Sequence, residues 1–483
     1  MKKQQIGLAL IILFLSALRI NAQNTNGTVG AALTLKDAID IAIKNNLVVE
    51  QSDITRQASQ VNKNQAIDYL LPSISASGQQ TLSFGRSLNP YTYQYVNQQI
   101  NTGSYGISGN LVLFSGLQTQ NAIKQYSLAY DASKLDLEQQ KQNITLAVML
   151  AYLQVVSSQD LLDISRRQAD VDEKQMERLD LQYKDGALLL LSNLSDLKGQ
   201  YATDRANIAV AVNTLETAKV NLFNLLNVPY KRDVEFEKIS LDLQMTDYQG
   251  NSDSIYHIAL GTLPMIKSTD LRVRSFQKAL AATRGQYYPT LSLGASVYTS
   301  YSNAATVSTP QNSFFNDTTS SYVTTTTGNY KVITPQQNFT TQKISFGDQF
   351  NNNRYTQVYL SLNIPILNYL RARNNVKLAK INLQNAQYNA TSTRLVLQQS
   401  VELAYQNMVL ANNQLKADQD AVDAYQESFR TTEIRFNEGV ITSDVYLIAK
   451  NNIDRANLNL TIAKYNFIFR SRILDYYQGK LNY

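Results

Sequence analysis

The stretch AVMLAYLQVVSSQDLLDISRRQADVDEKQMERLDLQYKD, residues 147–185, decides the reading of this chain. It closes a run from Leu117 to Asp185 that contains neither glycine nor proline and stops at Gly186. At 1.5 Å per residue a helix of that length extends about 100 Å, whereas an average globular helix has roughly 10–14 residues. Within it apolar residues recur every seven positions, at Val148, Val155, Leu162, Ala169, Met176 and Tyr183, which is the spacing of a coiled-coil seam.

The pattern occurs twice. From Leu370 to Glu438 a second run of equal length lacks glycine and proline, and it stops at Gly439. Adding 253 to the first series gives Val401, Met408, Leu415, Val422, Phe429 and Phe436, and carries Ala151-Tyr152 onto Ala404-Tyr405 and Gly186 onto Gly439. Past the glycines, Asp204-Arg205-Ala206-Asn207 returns as Asp454-Arg455-Ala456-Asn457 at a shift of 250, so the first copy is three residues longer at its turn. Upstream the shift is 217: Ala42 meets Ala259, and Leu71-Pro72-Ser73-Ile74-Ser75 meets Tyr288-Pro289-Thr290-Leu291-Ser292. The chain reads as a tandem duplication, repeat one about 33–229 and repeat two about 251–480. The second copy's additional residues, the difference between the shifts of 217 and 253, fall in the Thr/Ser/Asn-rich stretch from Asn303 to Asn353, which reads as a long exposed loop.

Ahead of the duplication, Lys2 and Lys3 precede an apolar run from Ile6 to Leu18 and the small residue Ala22. Residues 1–22 therefore read as a secretory signal peptide and 23–483 as a single domain. The formal charge is +6, and removing Lys2, Lys3 and Arg19 leaves +3, which gives no concentrated basic face for nucleic acid. With no cysteine and one histidine, His257, in 483 residues, there is no disulfide framework, thiol nucleophile, lipid-modified N-terminal cysteine or multi-histidine metal site. No Gly-rich phosphate loop precedes a helix, so any transport takes its energy from a partner. The expectation is a chain that is no enzyme and holds no cofactor or metal. Past position 22 no apolar run approaches the length of a membrane-spanning helix, so an exported chain of this kind is either soluble or crosses a membrane as a β-barrel.

After Pro72 the period changes to two. Ile74, Ala76, Leu82 and Phe84 face Ser73, Ser75, Ser77, Gln79, Thr81 and Ser83, and Tyr105, Ile107, Leu111 and Leu113 oppose Ser108 and Asn110. In the second copy Leu291, Leu293, Ala295 and Val297 alternate with Ser292, Gly294 and Ser296, and Val358, Leu360, Leu362, Ile364 and Ile366 with Tyr359, Ser361 and Asn363. Strands apolar on one side and polar on the other suit an outer-membrane barrel wall, although a one-sided sheet in water alternates in the same way. Tyr91, Tyr93, Tyr95, Tyr298, Tyr301 and Tyr355 near the strand ends favour a membrane interface. Four strands fall short of the about eight in the smallest membrane barrels, so a spanning chain must oligomerise.

This order of helix, hairpin and long helix, twice over, resembles the outer-membrane efflux protein (TolC-like) family across essentially the whole mature chain. The resemblance rests on Leu33-Thr34-Leu35-Lys36-Asp37-Ala38-Ile39 with Asn45-Asn46, on the Leu-Pro-Ser-Ile-Ser and Tyr-Pro-Thr-Leu-Ser strand entries, and on Leu113-Phe114-Ser115-Gly116. Its most specific element is Arg435-Phe436-Asn437-Glu438-Gly439 followed by Ser443-Asp444-Val445. It implies an α+β membrane protein in the outer membrane of a Gram-negative bacterium: a homotrimer pooling four strands per protomer into one transmembrane β-barrel, with coiled-coil helices forming a periplasmic α-barrel. It also implies a passive exit duct that works with a periplasmic adaptor (membrane-fusion) protein and an inner-membrane transporter, and whose partners include outer-membrane lipid. Carried across by position, Gly439, Phe436, Asp444 and the first-copy Gly186 match the family's periplasmic entrance, and Asp196 matches the first-copy aspartate. Two positions depart from the pattern: Leu447 stands where a second acid often follows, and Ile441 where some members carry arginine.

Each candidate residue also has a plainer reading. Asp444 repeated around a threefold axis would gather negative potential at the narrow end and select cations, or it simply caps the returning helix, where Ser443 or Asp444 would satisfy free N–H groups. Arg371 and Arg373 meet lipid headgroups or form a solvated helix start. The repeated Asp204-Arg205 and Asp454-Arg455 are an inter-helix latch or ordinary surface pairs, and Asp160 and Asp163, one turn apart, mimic a carboxylate pair but, with no nucleophile, histidine or metal cluster near them, read as a solvated face. Beside the duct stand two other classes, a periplasmic coiled-coil adaptor or scaffold and a surface receptor or adhesin displaying the Asn303 to Asn353 stretch.

Overall fold

The two glycine-free runs are continuous helices of equal length in the computed structural model of the chain, which describes residues 32–88, 93–185, 191–238 and 251–480. The signal segment 1–22, Tyr91 and Gly186 lie outside those residues. Repeat one runs α1 (Leu35–Asn45), α2 (Leu47–Asp68), β1 (Ser73–Ser83), β2 (Arg86–Leu88), β3 (Tyr95–Asn97), β4 (Ile100–Ser115), α3 (Gln118–Lys184) and α4 (Leu191–Leu226). Repeat two runs α5 (Ser252–Thr262), α6 (Pro264–Arg284), β5 (Thr290–Ser302), β6 (Thr306–Thr325), β7 (Gly328–Lys343), α7 (Phe346–Asn352), β8 (Tyr355–Asn363), α8 (Arg371–Asn437) and α9 (Ser443–Tyr477).

The described residues divide into two compact units, each drawn from both repeats: one from the described parts of Met1–Gln51, Gln140–Thr262 and Gln398–Tyr483, the other from the described parts of Ser52–Gln139 and Leu263–Leu397. The first is helical. Its core holds Val148, Val155, Leu162 and Ala169 of the first heptad series and Val401, Met408, Leu415 and Phe436 of the second, all buried. One stretch of α3 is long and apolar enough to cross a membrane, but more than half of it is buried inside the protein, as the seam of a core helix is. Tyr152, fully buried, donates its hydroxyl to the Leu33 carbonyl at 2.7 Å, with the Glu237 carbonyl at 3.0 Å, and so ties α3 to the chain on either side of the Leu33 and Phe236 bridge. The Asn45-Asn46 pair of the helix motif has a similar task. Asn46 donates to the Leu225 carbonyl at 2.9 Å, and Asn227 donates to the Asn45 carbonyl at 3.1 Å, which fastens the end of α1 to the end of α4.

The second unit carries a four-stranded antiparallel sheet in the order β1-β4-β5-β8. Across it the alternation resolves into rows. Ala76, Ile107 and Val297 lie side by side, as do Leu111, Leu293 and Leu360, while the next row on the opposite face joins Ser75, Ser108, Ser296 and Gln357. Two expectations change here. The ladder shifts between Val112 and Phe114, so the apolar row continues through Phe114, paired with Leu291, rather than through Leu113; one extra residue in one strand reverses the facing of the residues beyond it. Tyr298 and Tyr355, read as interface tyrosines, pair with each other on the serine face, because they share the parity of Ser296 and Gln357.

The Asn303 to Asn353 stretch is no irregular loop. Thr306–Thr325 and Gly328–Lys343 pair as a long two-stranded ribbon closed by Thr326-Thr327, and α7 comes after it. Threonine, tyrosine, valine and phenylalanine favour a pleated backbone, and the serine and asparagine between them gave the stretch its loop-like composition. Ser345 caps α7, its hydroxyl accepting from the Asp348 N–H at 3.1 Å. Buried Gln349 then accepts from the Ser302 N–H and donates to the Ser302 and Ile344 carbonyls, each at 2.9 Å, so α7 is pinned to the end of β5. That places Phe346 and Phe350 against Tyr105 and Tyr301, with ring centroids 5.1–6.2 Å apart.

Both strand-to-helix corners use two successive left-handed residues, Gly116 and Leu117 before α3 and Tyr369 and Leu370 before α8. The two pairs are related by the same shift of 253, so the duplication extends to backbone dihedrals. A Cβ on Gly116 would lie 2.5 Å from the Gly285 carbonyl oxygen and 2.6 Å from Tyr288 Cβ, so this corner admits glycine alone. Gly116→Ala should lower stability by about 2–4 kcal/mol through backbone clash and left-handed strain. Gly199→Ala, in helix α4 with open space around it, should raise stability by about 0.5–1 kcal/mol. Denaturant titration of the purified protein checks that the two changes have opposite signs.

Candidate functional site

The turn that joins α8 to α9 is built by the end of one helix and the start of the next. At the end of α8 the Val440 N–H reaches the Arg435 carbonyl at 2.9 Å and the Gly439 N–H reaches Phe436 at 3.0 Å, a closing pattern that needs a left-handed residue. Gly439 supplies it with φ +70° and open space around its Cα, so its role is conformational. Arg178 of α3 donates to the Asn437 side chain at 2.6 Å and to the Asn437 carbonyl at 3.1 Å, and thereby takes up an acceptor that α8 leaves open at its end.

Helix α9 begins after Thr442, whose hydroxyl hydrogen-bonds the Asp444 carboxylate. Asp444 stands exposed in the first turn. The Thr442 hydroxyl first, and then the N–H groups of Val445 and of Asp444 itself, hold its carboxyl below the usual carboxylate range and keep it ionised at neutral pH. Asp444 therefore does serve the helix start, and it does so while leaving its charge facing water. Ser443 is buried and works differently. Its hydroxyl lies 2.7 Å from the Asp196 carboxylate and 2.9 Å from the Asn193 side-chain oxygen, so the starts of α9 and α4 are joined. Asp196 is thus brought to the second-copy turn as a hydrogen-bond acceptor for Ser443.

Behind these polar groups lies a small apolar core of Leu179, Leu194, Leu197, Phe436 and Tyr446. Phe436 stacks on Tyr446 with ring centroids 4.5 Å apart and planes 19° from parallel. Ile441 and Leu447, the two departures from the family pattern, both pack against this core, where an arginine or a second carboxylate would be desolvated. An open cavity of about 480 Å³ beside it is lined by Arg178, Gln182, Asp185, Asn193, Glu438 and Gly439, among others.

Other candidates resolve as structure. Asp160 and Asp163 are held by Lys238 at 3.0 and 3.2 Å, and Asp160 accepts the Tyr465 hydroxyl at 2.5 Å; they anchor the segment after α4 rather than form a solvated face. Asp204 is buried and Asp454 half-buried beside Lys450, while Arg205 and Arg455 are exposed, so the aspartates are not surface pairs with their neighbouring arginines. Arg371 and Arg373 are exposed in the first turn of α8, and His257 is exposed on α5, 3.6 Å from Asp253. The Ser443, Asn193 and Arg178 contacts escaped the sequence because each joins residues some 250 positions apart, or close to it, without a local pattern.

The model of the outer membrane efflux protein family matches residues 38–228 and 255–472. The chain is similar to outer membrane protein TolC of Escherichia coli (strain K12), 21% identical over 444 residues that cover 90% of this chain and 80% of TolC. It is also similar to toxin and drug export protein A of Aggregatibacter actinomycetemcomitans, 21% identical over 443 residues that cover 90% of this chain and 83% of the relative. Among solved structures, CusC superposes with a TM-score of 0.72 at 16% identity, covering 92% of this chain and 91% of CusC. The CmeC outer membrane channel of Campylobacter jejuni also gives 0.72, at 15% identity, covering 95% of this chain and 91% of CmeC.

If Phe436 and Tyr446 form one packed unit, Phe436→Ala and Tyr446→Ala should each destabilise the protein by about 3–5 kcal/mol. The loss in the double variant should fall short of their sum by about 0.5 kcal/mol or more, the order of coupling typical of touching residues. A double-mutant cycle in denaturant measures that coupling.

Proposed function

The chain belongs to the outer membrane efflux protein family, and from that membership we propose that it is a homotrimeric exit duct of a tripartite efflux or type I secretion system. It is an outer-membrane channel with a large periplasmic portion. Residues 1–22 serve as its export signal, and residues 23–483 form one channel domain of two repeats. Cargo reaches it from an inner-membrane transporter through a periplasmic adaptor, and it conducts passively.

One observation carries this reading: the sheet has an apolar face, a serine-rich face and two edge strands, β1 and β8, that are unpaired among the described residues. All nine residues of β8 are exposed in the single chain. Successive strands alternate in direction, so β8 of one copy can receive β1 of the next with the same antiparallel sense, and three copies bring about twelve strands. Apolar rows then meet lipid and serine rows line a wet bore. An adaptor or scaffold needs no such wall, and an adhesin reading accounts for the β6 and β7 ribbon but leaves the serine face without a task.

At the turn between α8 and α9, the exposed carboxylate of Asp444, repeated three times, favours cations at the entrance, with Gly439 and the Phe436 core holding it in place and Gly186 and Asp196 contributing the first-copy turn. Purified protein should remain trimeric in mild detergent and give single-channel steps in planar bilayers. Asp444→Asn should lower the cation-over-anion permeability ratio severalfold. An unchanged ratio leaves Asp444 as a helix-start residue only, and a monomer without steps removes the duct.

A further inference from the structure

The helical unit buries one lysine among three carboxylates. The Lys450 side chain is 3% exposed and that of Asp172 0%, with Lys450 Nζ 3.0 Å from Asp172 Oδ2 and 2.5 Å from Asp454 Oδ2. Asp204 is buried too, one oxygen accepting from Gln200 at 3.0 Å. Its other oxygen, Oδ2, and Asp172 Oδ1 are fully buried and receive no donor. The Asp204 carboxylate is a neighbouring negative charge to both Asp172 and Asp454. Neighbouring carboxylates offer acceptors only, and an unsatisfied buried acceptor beside a like charge is expensive. A proton between them supplies the missing donor.

The cluster breaks the symmetry of the duplication. Gln200 and Asp204 correspond to Lys450 and Asp454 at the shift of 250, and both pairs keep the same four-residue hydrogen bond. Only the second copy supplies a cation, and it binds the first copy's Asp172 as well. Lys450 lies one turn beyond Tyr446, so the ionic cluster adjoins the Phe436 and Tyr446 core.

We propose that Asp172 and Asp204 form a proton-binding site, and that loss of its proton loosens the attachment of α9 to α3 and α4. The site stands on the helical unit alone and is independent of the function proposed above.

Burial is the main influence on Asp172 and pushes its carboxyl up to about 7, with Asp204 adding to the rise and Lys450 opposing it. Burial raises Asp454 against the pull of Lys450. Burial lowers Lys450, but Asp454 and Asp172 outweigh it and the ammonium is retained. The remaining surroundings come from α3, α8 and α9: Arg167 and Gln168 on α3, uncharged Gln426 and Phe429 on α8, and Lys464 on α9 line the groove beside Lys450, while the buried Tyr446 hydroxyl feels the charges of Asp172, Glu433, Asp454 and Arg178. Because Asp172 holds its proton more tightly folded than at its ordinary 3.8, the stabilisation is complete below about 3.8 and is lost as pH rises through about 7.

Hydrogen exchange of the α9 amides between Tyr446 and Asp454, in the purified detergent-solubilised protein and corrected for intrinsic rates, reads this directly. Protection should fall about tenfold from about pH 6 to about pH 8, the change expected when one proton leaves a group titrating near the middle of that range. Asp172→Asn and Asp204→Asn should each flatten the profile, while Asp180→Asn, a half-buried carboxylate paired with the exposed Lys184 outside the cluster, should leave the slope intact. Should either cluster variant fail to fold, infrared difference spectra of the unmodified protein must show a protonated carboxyl band lost over the same range. A flat profile without that band, or cluster variants that keep the slope, overturns the proton site. Neither readout uses conductance, so the duct reading stands or falls separately.

Discussion

The structure depends on two rows of backbone groups that are unpaired among the described residues, one along β1 and one along β8. In hydrocarbon no water can satisfy them, and each unmade hydrogen bond costs several kcal/mol. The sheet cannot remedy this internally, because four strands are too few to curl into contact. Nor can it shelter in water, since its rows of Ile107, Val297, Leu293 and Leu360 would stay exposed. Joining edges with identical neighbours meets both demands at once. An assembly closed in that way has a lumen lined by the serine rows, and conduction is a consequence of how the wall is completed.

The duplication was legible because each kind of element has its own period. Seven-residue spacing marked Val148 to Ala169 and Val401 to Leu415, and those positions are buried seams. Two-residue alternation marked the four strands, and the rows across β1, β4, β5 and β8 obey it. The equal shift even reaches the left-handed corners at Gly116 and Tyr369, one demanded by close approach of the chain and the other fully exposed in the single copy. The features that stayed hidden have no period. The extra residue at Leu113 reverses facing without altering composition, and the β6 and β7 ribbon is written in threonine, serine and asparagine, which serve loops as well as strands.

At the turn between α8 and α9 the motif gave positions but not tasks. Gly439 sits where its spacing put it and is needed for its dihedral, and Asp444 both serves the helix start and keeps an exposed charge. Leu447 and Ile441, which looked like omissions from a family pattern, are among the residues that pack against the small core around Phe436 and Tyr446. The groups that bind the copies to each other there, Ser443 to Asp196 and Arg178 to Asn437, are ordinary polar residues far apart in the chain. Only the fold brings them within reach, and the same holds for Lys450 and Asp172.

The chain has no cysteine, so every disulfide introduced into it is interpretable. The most direct test of edge pairing places one cysteine in β8 at Val358 and a second at successive positions from Ser73 to Ser83 in β1, and oxidises the protein in isolated membranes. Because a disulfide requires Cβ atoms about 4 Å apart, one narrow register should yield a ladder ending at a covalently linked trimer. Crosslinks confined within single chains, or none at any register, would contradict closure through neighbouring copies.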